Sequence, residues 1–434
     1  MRSDLNEILT RVGPGTKMGE LFRRFWLPAL LEEEVAKPDG PPVKFRILGE
    51  DLVAFRDTEG KVGVIDAYCA HRRAGLEYGR NEECGLRCVY HGWKFSVTGE
   101  LLDAPSEPPS RLDQVKKTVK ITAYPTHVAG GAVWVYMGPP EAKPPFPAFE
   151  WTRFPASQSA IIKRYQPCNY AQALEGGIDS AHISFLHRDL KDLAKAGQPV
   201  ANAGQPRSTH ARYAGGCQYP EFSVDETDYG LRIMARRYLD DADKDYWRVT
   251  QFMLPCFQMV PPTLEKGEFI ANPTYGNIWV PIDDYNTWNW GFSSDVEALS
   301  ERQRIFMGKS GIWGELHDDF TAAQNLSNKF EWSQERQRSV NYSGIAGVRN
   351  QDAAVVESMG PLVDRSKENL GHSDSAIIRF RRQIIALANA LADGKEPPMP
   401  HRPELFNIRS FSTLLEKDVH IREQAPLLEA GAPL

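Results

Sequence analysis

The chain has 434 residues, which is long enough to bury two hydrophobic cores, so we expect two unequal domains. Its formal net charge of -6 gives no broad positive field, which argues against nucleic acid and anionic membranes as partners. No apolar run approaches the roughly 20 residues that cross a bilayer, and the N-terminus lacks the features of a secretory signal. We therefore expect a cytoplasmic protein.

The first 145 residues divide into a helical segment and a small β domain. Residues 1–42 contain one or two short amphipathic helices and finish at a break rich in proline and glycine. From Val43 the pattern changes to short alternating runs, KFRIL, LVAFR and VGVID, which are separated by turn residues. The sequence thus predicts an N-terminal helical segment over 1–42 that packs on the core, and an all-β domain over 43–145.

Residues 146–434 mix helical and strand patterns. A helix is predicted over about 168–184, and longer helical patterns occupy 297–327 and 373–393. Strand-like runs include YGLRIMARRYL, WRVTQFML and TWNWGFSS. The predicted fold class is α+β, with an all-β N-terminal domain followed by a domain in which helices pack on an antiparallel sheet.

Two short segments of the β domain each carry one cysteine and one histidine. They are Cys69-Ala-His71 and, after sixteen residues, Cys88-Val-Tyr-His91. Two thiolates and two imidazoles suit a [2Fe–2S] cluster in which sulfur ligates one iron and nitrogen the other. A structural zinc is the alternative, although zinc fingers usually take two Cys from one segment and two His from another. The spacing resembles the Rieske fingerprint C-x-H-x(16–17)-C-x-x-H.

A second group of polar residues lies in the helix predicted over 168–184. These residues recur at spacings of three and four, so they share one face, while the other faces are apolar. They are Asn169, Gln172, Glu175, Asp179 and His182. Because a buried polar stripe is costly unless each group is satisfied, we expect it to line a functional cavity. His187 lies off this face, so the helix must end or distort before it. A solvated face with incidental histidines is the alternative.

Over nearly its whole length the chain resembles the oxygenase (alpha) subunits of Rieske non-heme iron aromatic-ring-hydroxylating oxygenases, in the phthalate 4,5-dioxygenase-like branch. The segments that carry the resemblance are NEILTRVGPGTKMGELFRRFWLPALL, GRNEECGLRCVYHGWKF and ESMGPLVDRSKENLG. The resemblance implies a Rieske domain over 43–145 and a catalytic domain of the helix-grip type over 146–434. It also implies two cofactors, a [2Fe–2S] Rieske cluster and a mononuclear Fe(II).

The resemblance assigns these cofactors to particular residues. The cluster ligands are Cys69, His71, Cys88 and His91. The Fe(II) ligands are His182, His187 and Asp352, where Glu357, Asp364 and Asp374 compete with Asp352 for the carboxylate position. Asp179 matches the family's bridging acid, which contacts a cluster histidine of the neighbouring subunit and an iron histidine of its own chain. This bridging implies a homotrimer or a hexamer.

The resemblance further implies O₂-dependent hydroxylation of an aromatic carboxylate, such as a phthalate, chlorobenzoate or phenoxybenzoate, to a cis-dihydrodiol. Arginine suits a carboxylate because its fork binds both oxygens. The candidate substrate-binding residues are Arg207, Arg248 and Ser180, while both arginines also have a solvated surface alternative. No G-x-G-x-x-G follows a strand, so electrons must come from a separate NADH-dependent reductase, of the FMN and [2Fe–2S] type by resemblance.

Three other functions remain open at this point. A Rieske monooxygenase or O-demethylase of an aromatic acid uses the same metals and differs in its product. A Rieske electron-transfer protein would have no use for the long second domain. A zinc-stabilised binding protein would be colourless.

Overall fold

A computed structural model describes residues 1–190, 217–239, 243–264 and 267–424. It contains three small antiparallel sheets in the N-terminal part and one nine-stranded antiparallel sheet with helices packed on it in the C-terminal part. The α+β fold class is therefore confirmed.

The N-terminal segment contains two helices, as predicted, and a strand that was not predicted. Helices α1 (Ser3–Thr10) and α2 (Lys17–Phe22) precede strand β1 (Trp26–Leu31). Strand β1 pairs with β11 (Ala132–Tyr136), which also pairs with β10 (Thr126–Ala129). All six residues of β1 are buried, and such an apolar run does not alternate. Because its partner strand lies far away in the sequence, the run gave no local strand signal. The segment over 1–42 is therefore not purely helical, contrary to the prediction.

Two four-stranded sheets complete the β domain. The first has the order β2 (Val43–Ile47), β3 (Glu50–Arg56), β4 (Val62–Asp66) and β9 (Ala123–Tyr124). The second has the order β5 (Arg80–Glu82), β6 (Gly85–Arg87), β7 (Lys94–Phe95) and β8 (Leu101–Asp103), and helix α3 (Pro109–Thr118) follows it. The two Cys/His segments are the loop that follows β4 and the loop between β6 and β7.

The large sheet runs in the order β12, β19, β18, β16, β15, β14, β13, and β20 pairs with both β15 and β17. Its strands are β12 (Ser159–Gln166), β13 (Glu221–Thr227), β14 (Gly230–Arg237), β15 (Lys244–Met253), β16 (Phe257–Val260), β17 (Phe269–Ile270), β18 (Thr274–Pro281), β19 (Thr287–Ser294) and β20 (Phe411–Glu416). The pairing register places several polar side chains on one face, which we call the inner face: Arg164, Arg237, Arg248, Gln258, Asn277 and Asn289.

The described part of this domain contains five helices, α4 (Tyr170–Ile178), α5 (Glu301–Phe306), α6 (Gln334–Ser339), α7 (Val348–Ser358) and α8 (Ser375–Ala392). Helix α8 agrees with the pattern over 373–393, and α4 is shorter than the predicted 168–184. The helix predicted over 297–327 is wrong except for α5. Three glycines interrupt it, and Gly314 adopts a positive φ of 76° that a helix does not allow.

Helix α4 packs against the inner face of the sheet. The side-chain amide of Gln258 donates to the carbonyl oxygen of Gly177, and the aromatic ring of Trp279 lies so close to Gly177 that a Cβ there would clash at 2.2 Å. Helix α4 also contacts α7 and α8. The sheet thus fixes the end of α4, from which the next polar residues extend.

Candidate metal centres and active site

The two Cys/His loops of the β domain converge. The side chains of Cys69 and Cys88 are 1% and 2% exposed, and the rings of His71 and His91 are 4.5 Å apart. The ring of His71 also stacks on Trp93, with 4.6 Å between centroids. Burial, together with the neighbouring Cys88, raises the pKa of Cys69 to about 11. The structure therefore brings the two predicted cysteines together and the two predicted histidines together on the same pair of loops.

A close approach of two backbone segments closes the second loop. The amide of Cys88 donates to the carbonyl oxygen of Trp93, and that of Gly92 donates to the carbonyl oxygen of Cys88. Gly92 has a φ of 78°, and a Cβ on it would lie 2.6 Å from Pro105. Only glycine fits this turn without displacing Pro105, so the sequence around Cys88 is adapted to a cover formed by the segment that begins at Pro105.

Helix α4 ends before the second group of candidate ligands, as the position of His187 required. Asp179 terminates the helix with extended backbone angles, and a short 3₁₀ turn (His182–Ser184) follows. The chain then places His187 beside His182, with ring centroids 5.0 Å apart and nearly perpendicular.

Asp352 on helix α7 completes this group. Its carboxylate oxygen lies 3.0 Å from Nε2 of His187 and 3.6 Å from Nε2 of His182. One donor atom from each of the three side chains lies within 4.8 Å of the others. Burial alone would raise the pKa of Asp352, but the two histidines and Arg349 outweigh it and lower this pKa.

Each histidine of the group is oriented by a further side chain. Nδ1 of His187 is 2.7 Å from Oε1 of Gln351, whose amide nitrogen donates to the carbonyl oxygen of Ile345. Nδ1 of His182 is 3.5 Å from Oδ2 of Asp179. Gln351 was missed in the sequence, and its only signal was its place next to Asp352. Such contacts fix the rotation and the tautomer of a ligating imidazole.

Asp179 and His182 also shift each other's pKa. Burial alone would raise the pKa of Asp179, but His182 and the backbone amide of Ala181, which donates to Oδ1 at 2.6 Å, lower it. Burial alone would lower the pKa of His182, but Asp179 and Asp352 raise it. The pair therefore favours a carboxylate facing a ring that carries a proton on Nδ1.

The rest of the polar stripe has a structural role, so the expectation that the whole stripe lines a cavity is wrong. Asn169 caps helix α4, with its Oδ1 accepting from the amide of Ala171. The amide of Gln172 donates to backbone carbonyl groups at the end of α7. Glu175 forms buried ion pairs with Arg365 and Arg381 at 3.0 and 2.7 Å. All five residues recur at helical spacing, so the sequence alone could not distinguish these three structural residues from Asp179 and His182 at the candidate iron site.

The competing carboxylates lie in other environments. Glu357 is 2% exposed and faces Arg164, whose Nη2 is 3.9 Å away. Asp364 and Asp374 accept hydrogen bonds from the backbone amides of Ser366 and Gly371. None of the three is in the group of possible metal ligands formed by the described residues.

The candidate substrate-binding residues fall in two places. Arg248 is 6% exposed on the inner face, and its Nη2 donates to the carbonyl oxygen of Pro261 at 3.0 Å. Within the described part of the chain, its Nε and Nη1 have no hydrogen-bond partner. Ser180 is 7% exposed, and its hydroxyl accepts from Arg237. Arg207 lies outside the described residues. The buried Arg237 was missed, although strand alternation places it on the same face as Arg248.

Comparison with known proteins identifies the family. Residues 25–125 match the Rieske [2Fe-2S] domain, and residues 135–430 match the family described as LigXa C-terminal domain like. The oxygenase subunit of phthalate 4,5-dioxygenase from Pseudomonas putida is 40% identical, over 96% of this chain and 93% of its own. The chain belongs to the Rieske oxygenase family.

Two further similarities agree with this assignment. The oxygenase subunit of 3-chlorobenzoate-3,4-dioxygenase from Comamonas testosteroni is 35% identical to the Rieske oxygenase described here, over 95% of each chain. The crystal structure of dicamba monooxygenase bound to dicamba has the same fold, with a TM-score of 0.56, 17% identity, and coverage of 86% of this chain and 98% of that one.

A Rieske oxygenase carries a [2Fe–2S] cluster and a mononuclear iron, and the residues present fit both groups. Among the described residues, Nδ1 of His71 is buried without a hydrogen-bond partner, next to two buried thiols. Thiolates in such a place need a cationic partner, which cluster iron provides. The second group offers two imidazoles and one carboxylate, the donor set of non-heme Fe(II) oxygenases.

Its relatives are oxygenase subunits, so this Rieske oxygenase is an enzyme component that receives electrons from a separate electron-transfer partner. Among the described residues, no helix has the length and apolar character to span a bilayer.

Proposed function

We propose that Cys69, His71, Cys88 and His91 bind the [2Fe–2S] cluster. We propose as well that the Fe(II) ion is held by His182, His187 and Asp352. The burial of the thiols, the contact between the cluster-loop rings and the distances within the second group support these assignments. When bound, the cluster supplies electrons one at a time, and the Fe(II) supplies open coordination positions for O₂.

In this proposal the chain's own side chains position the two iron histidines. Gln351 accepts a hydrogen bond from Nδ1 of His187, which leaves Nε2 of that ring for the metal. Asp179 faces Nδ1 of His182 at 3.5 Å and orients that ring by charge, and it acts as the bridging acid toward a cluster histidine of the neighbouring subunit. The contact of both Nε2 atoms with Asp352 agrees with this division of roles.

The proposed reaction is the dihydroxylation of an aromatic carboxylate, such as a phthalate, chlorobenzoate or phenoxybenzoate, to a cis-dihydrodiol. The observation that carries the substrate class is Arg248, a buried guanidinium with two nitrogen atoms that lack a partner among the described residues. A buried cation needs an anion, and the fork of arginine binds both oxygens of a carboxylate. The Ser180 hydroxyl accepts a hydrogen bond from Arg237, which lies beside Arg248 on the adjacent strand. Arg207 remains a second candidate anchor.

The proposed partner is an NADH-dependent reductase with FMN and a [2Fe–2S] centre, and the proposed assembly is a homotrimer or hexamer. Val89 and Tyr90, next to His91, are 58% and 55% exposed, which supports access of another protein surface to the cluster edge. The division into a segment over 1–42, a Rieske domain over 43–145 and a catalytic domain over 146–434 also stays a proposal, as does the cytoplasmic location.

The proposal is tested by supplying the purified protein with such a reductase, NADH and one aromatic acid at a time. We expect O₂ uptake and a cis-dihydrodiol with phthalate, 3-chlorobenzoate or phenoxybenzoate, and little reaction with the matching methyl esters. Formaldehyde or a phenol as product would replace dioxygenation by the monooxygenase or O-demethylase function. A preference for the neutral esters would contradict the assignment of an aromatic carboxylate.

A further inference from the structure

The inner face of the large sheet contacts the turn that follows helix α4. Arg237, the last residue of β14, has a side chain that is fully buried, and its Nη2 donates to the carbonyl oxygen of Ser180 at 2.5 Å and to the Ser180 hydroxyl at 3.2 Å. Ser180 lies between Asp179 and the 3₁₀ turn that carries His182. Arg237 therefore forms hydrogen bonds with the residue that connects Asp179 to this turn.

The same turn is held from its other side by Asp179. Oδ1 of Asp179 accepts from the amide of Ala181 at 2.6 Å, and Oδ2 faces Nδ1 of His182 at 3.5 Å. These contacts leave the turn few other ways to orient the carboxylate, provided that the Ser180 carbonyl stays in place. A shift of this carbonyl would rotate the peptide and move Asp179 relative to the histidine.

Arg237 is also next to the proposed substrate anchor. Ala235 pairs with Arg248 and Arg237 pairs with Tyr246, so the two arginines are diagonal neighbours on one face of adjacent strands. Burial lowers the pKa of Arg237 to about 10, and repulsion between its charge and that of the nearby Arg248 adds to this effect. An anion bound at Arg248 would relieve this repulsion.

We propose that Arg237 is a positioning residue that holds the turn of Asp179 and Ser180 against the sheet and links this turn to the substrate anchor Arg248. The inference rests on the proposed function, because it assigns Asp179 to the bridge and Arg248 to the substrate. It follows that a bound carboxylate favours the contact of Arg237 with Ser180 and steadies Asp179. Substrate binding and electron delivery are then coupled through one buried side chain.

The test uses Arg237→Met and Arg237→Lys in the full-length, iron-loaded protein, with Arg236→Met as the matched control. Arg236 is the preceding residue of β14, points to the opposite face and binds Asp245 at 2.7 Å, so its loss disturbs the same strand without touching the turn. Iron content, the cluster spectrum and the melting temperature are recorded first. The electron paramagnetic resonance signal of the Fe(II) site with nitric oxide then reports its geometry without substrate.

The second measurement mixes the reduced protein with O₂, with and without phthalate, and follows reoxidation of the cluster. We expect Arg237→Met to keep both metals, to change the nitric oxide signal, and to slow reoxidation with phthalate about tenfold or more relative to Arg236→Met. The reoxidation rate of Arg237→Lys should lie between those of Arg237→Met and Arg236→Met, because an ammonium keeps the charge but not the planar donor geometry.

Three outcomes would contradict the role of Arg237 or the assigned substrate class. Arg237→Met with the same signal and rate as Arg236→Met overturns the inference. If Arg237→Met does not fold, a wild-type signal and rate in Arg237→Lys overturn it instead. If wild-type reoxidation does not respond to phthalate or to 3-chlorobenzoate, the assigned substrate class fails, while the nitric oxide signal still decides the role of Arg237.

Discussion

Replacing Glu357 with glutamine should stabilise the protein at pH 8 relative to the wild type, and should do so much less at pH 5. The carboxyl group of Glu357 is 2% exposed, and burial raises its pKa from 4.5 to about 7, although Arg164 opposes this effect. Because the folded protein holds the proton more tightly than the unfolded chain, this group contributes stability below pH 4.5 that is lost as the pH rises through about 7.

The size of the effect follows from the same two values. A pKa change from 4.5 to about 7 corresponds to a loss for the wild type of about 2 to 3 kcal/mol between pH 5 and pH 8. Glutamine does not ionise, so Glu357→Gln avoids this loss. Urea unfolding of the metal-loaded protein at both pH values measures it, with Glu335→Gln, which changes an exposed carboxylate on α6, as the control. An equal difference between variant and wild type at both pH values would refute the reasoning.

The remaining predictions concern the proposed ligands and the substrate. Asp352→Ala, His182→Ala and His187→Ala should each lose the mononuclear iron and keep the cluster spectrum; retention of that iron by Asp352→Ala would contradict the assigned triad. Asp179→Asn should keep both metals and lower turnover about 10-fold to 100-fold, measured as coupled O₂ uptake, whereas unchanged turnover would exclude the bridge. Arg248→Ala should raise KM for the acid roughly 30-fold, because stranding the anion costs about 2 to 5 kcal/mol, and equal effects on acid and methyl ester would argue against a carboxylate anchor.

Features with short sequence spacing could be predicted well. The cluster loops each present their Cys and His within a few residues, and a turn fixes such a pair almost independently of the rest of the chain. The break between His182 and His187 was also predictable, because their spacing cannot lie on one helical face. The α+β class followed from alternating runs such as that of Thr287–Ser294, which is a strand in the structure.

Features that depend on distant partners could not be predicted. Strand β1 forms because it pairs with β11 across the β domain, and its continuous apolar run lacks the alternation that marks a strand in a sequence. Glu175 looked like part of the active site because its spacing matches that of Asp179, yet it faces Arg365 and Arg381. Arg237 gave only the signal of strand alternation, since its importance arises from its contact with the turn at Ser180.

Contacts on both sides of helix α7 bear on which of its carboxylates faces the iron histidines. Asp352 and Glu357 are five residues apart on α7, so they point about 140° away from each other. On one side Asn350 accepts from the buried Arg164 at 2.8 Å, and on the other Asp352 approaches His187 at 3.0 Å. These two contacts agree with one rotation of α7 about its axis, in which Asp352 and not Glu357 faces the histidines. No local sequence pattern predicts this rotation, because Arg164 belongs to strand β12, which is far from α7 in the sequence.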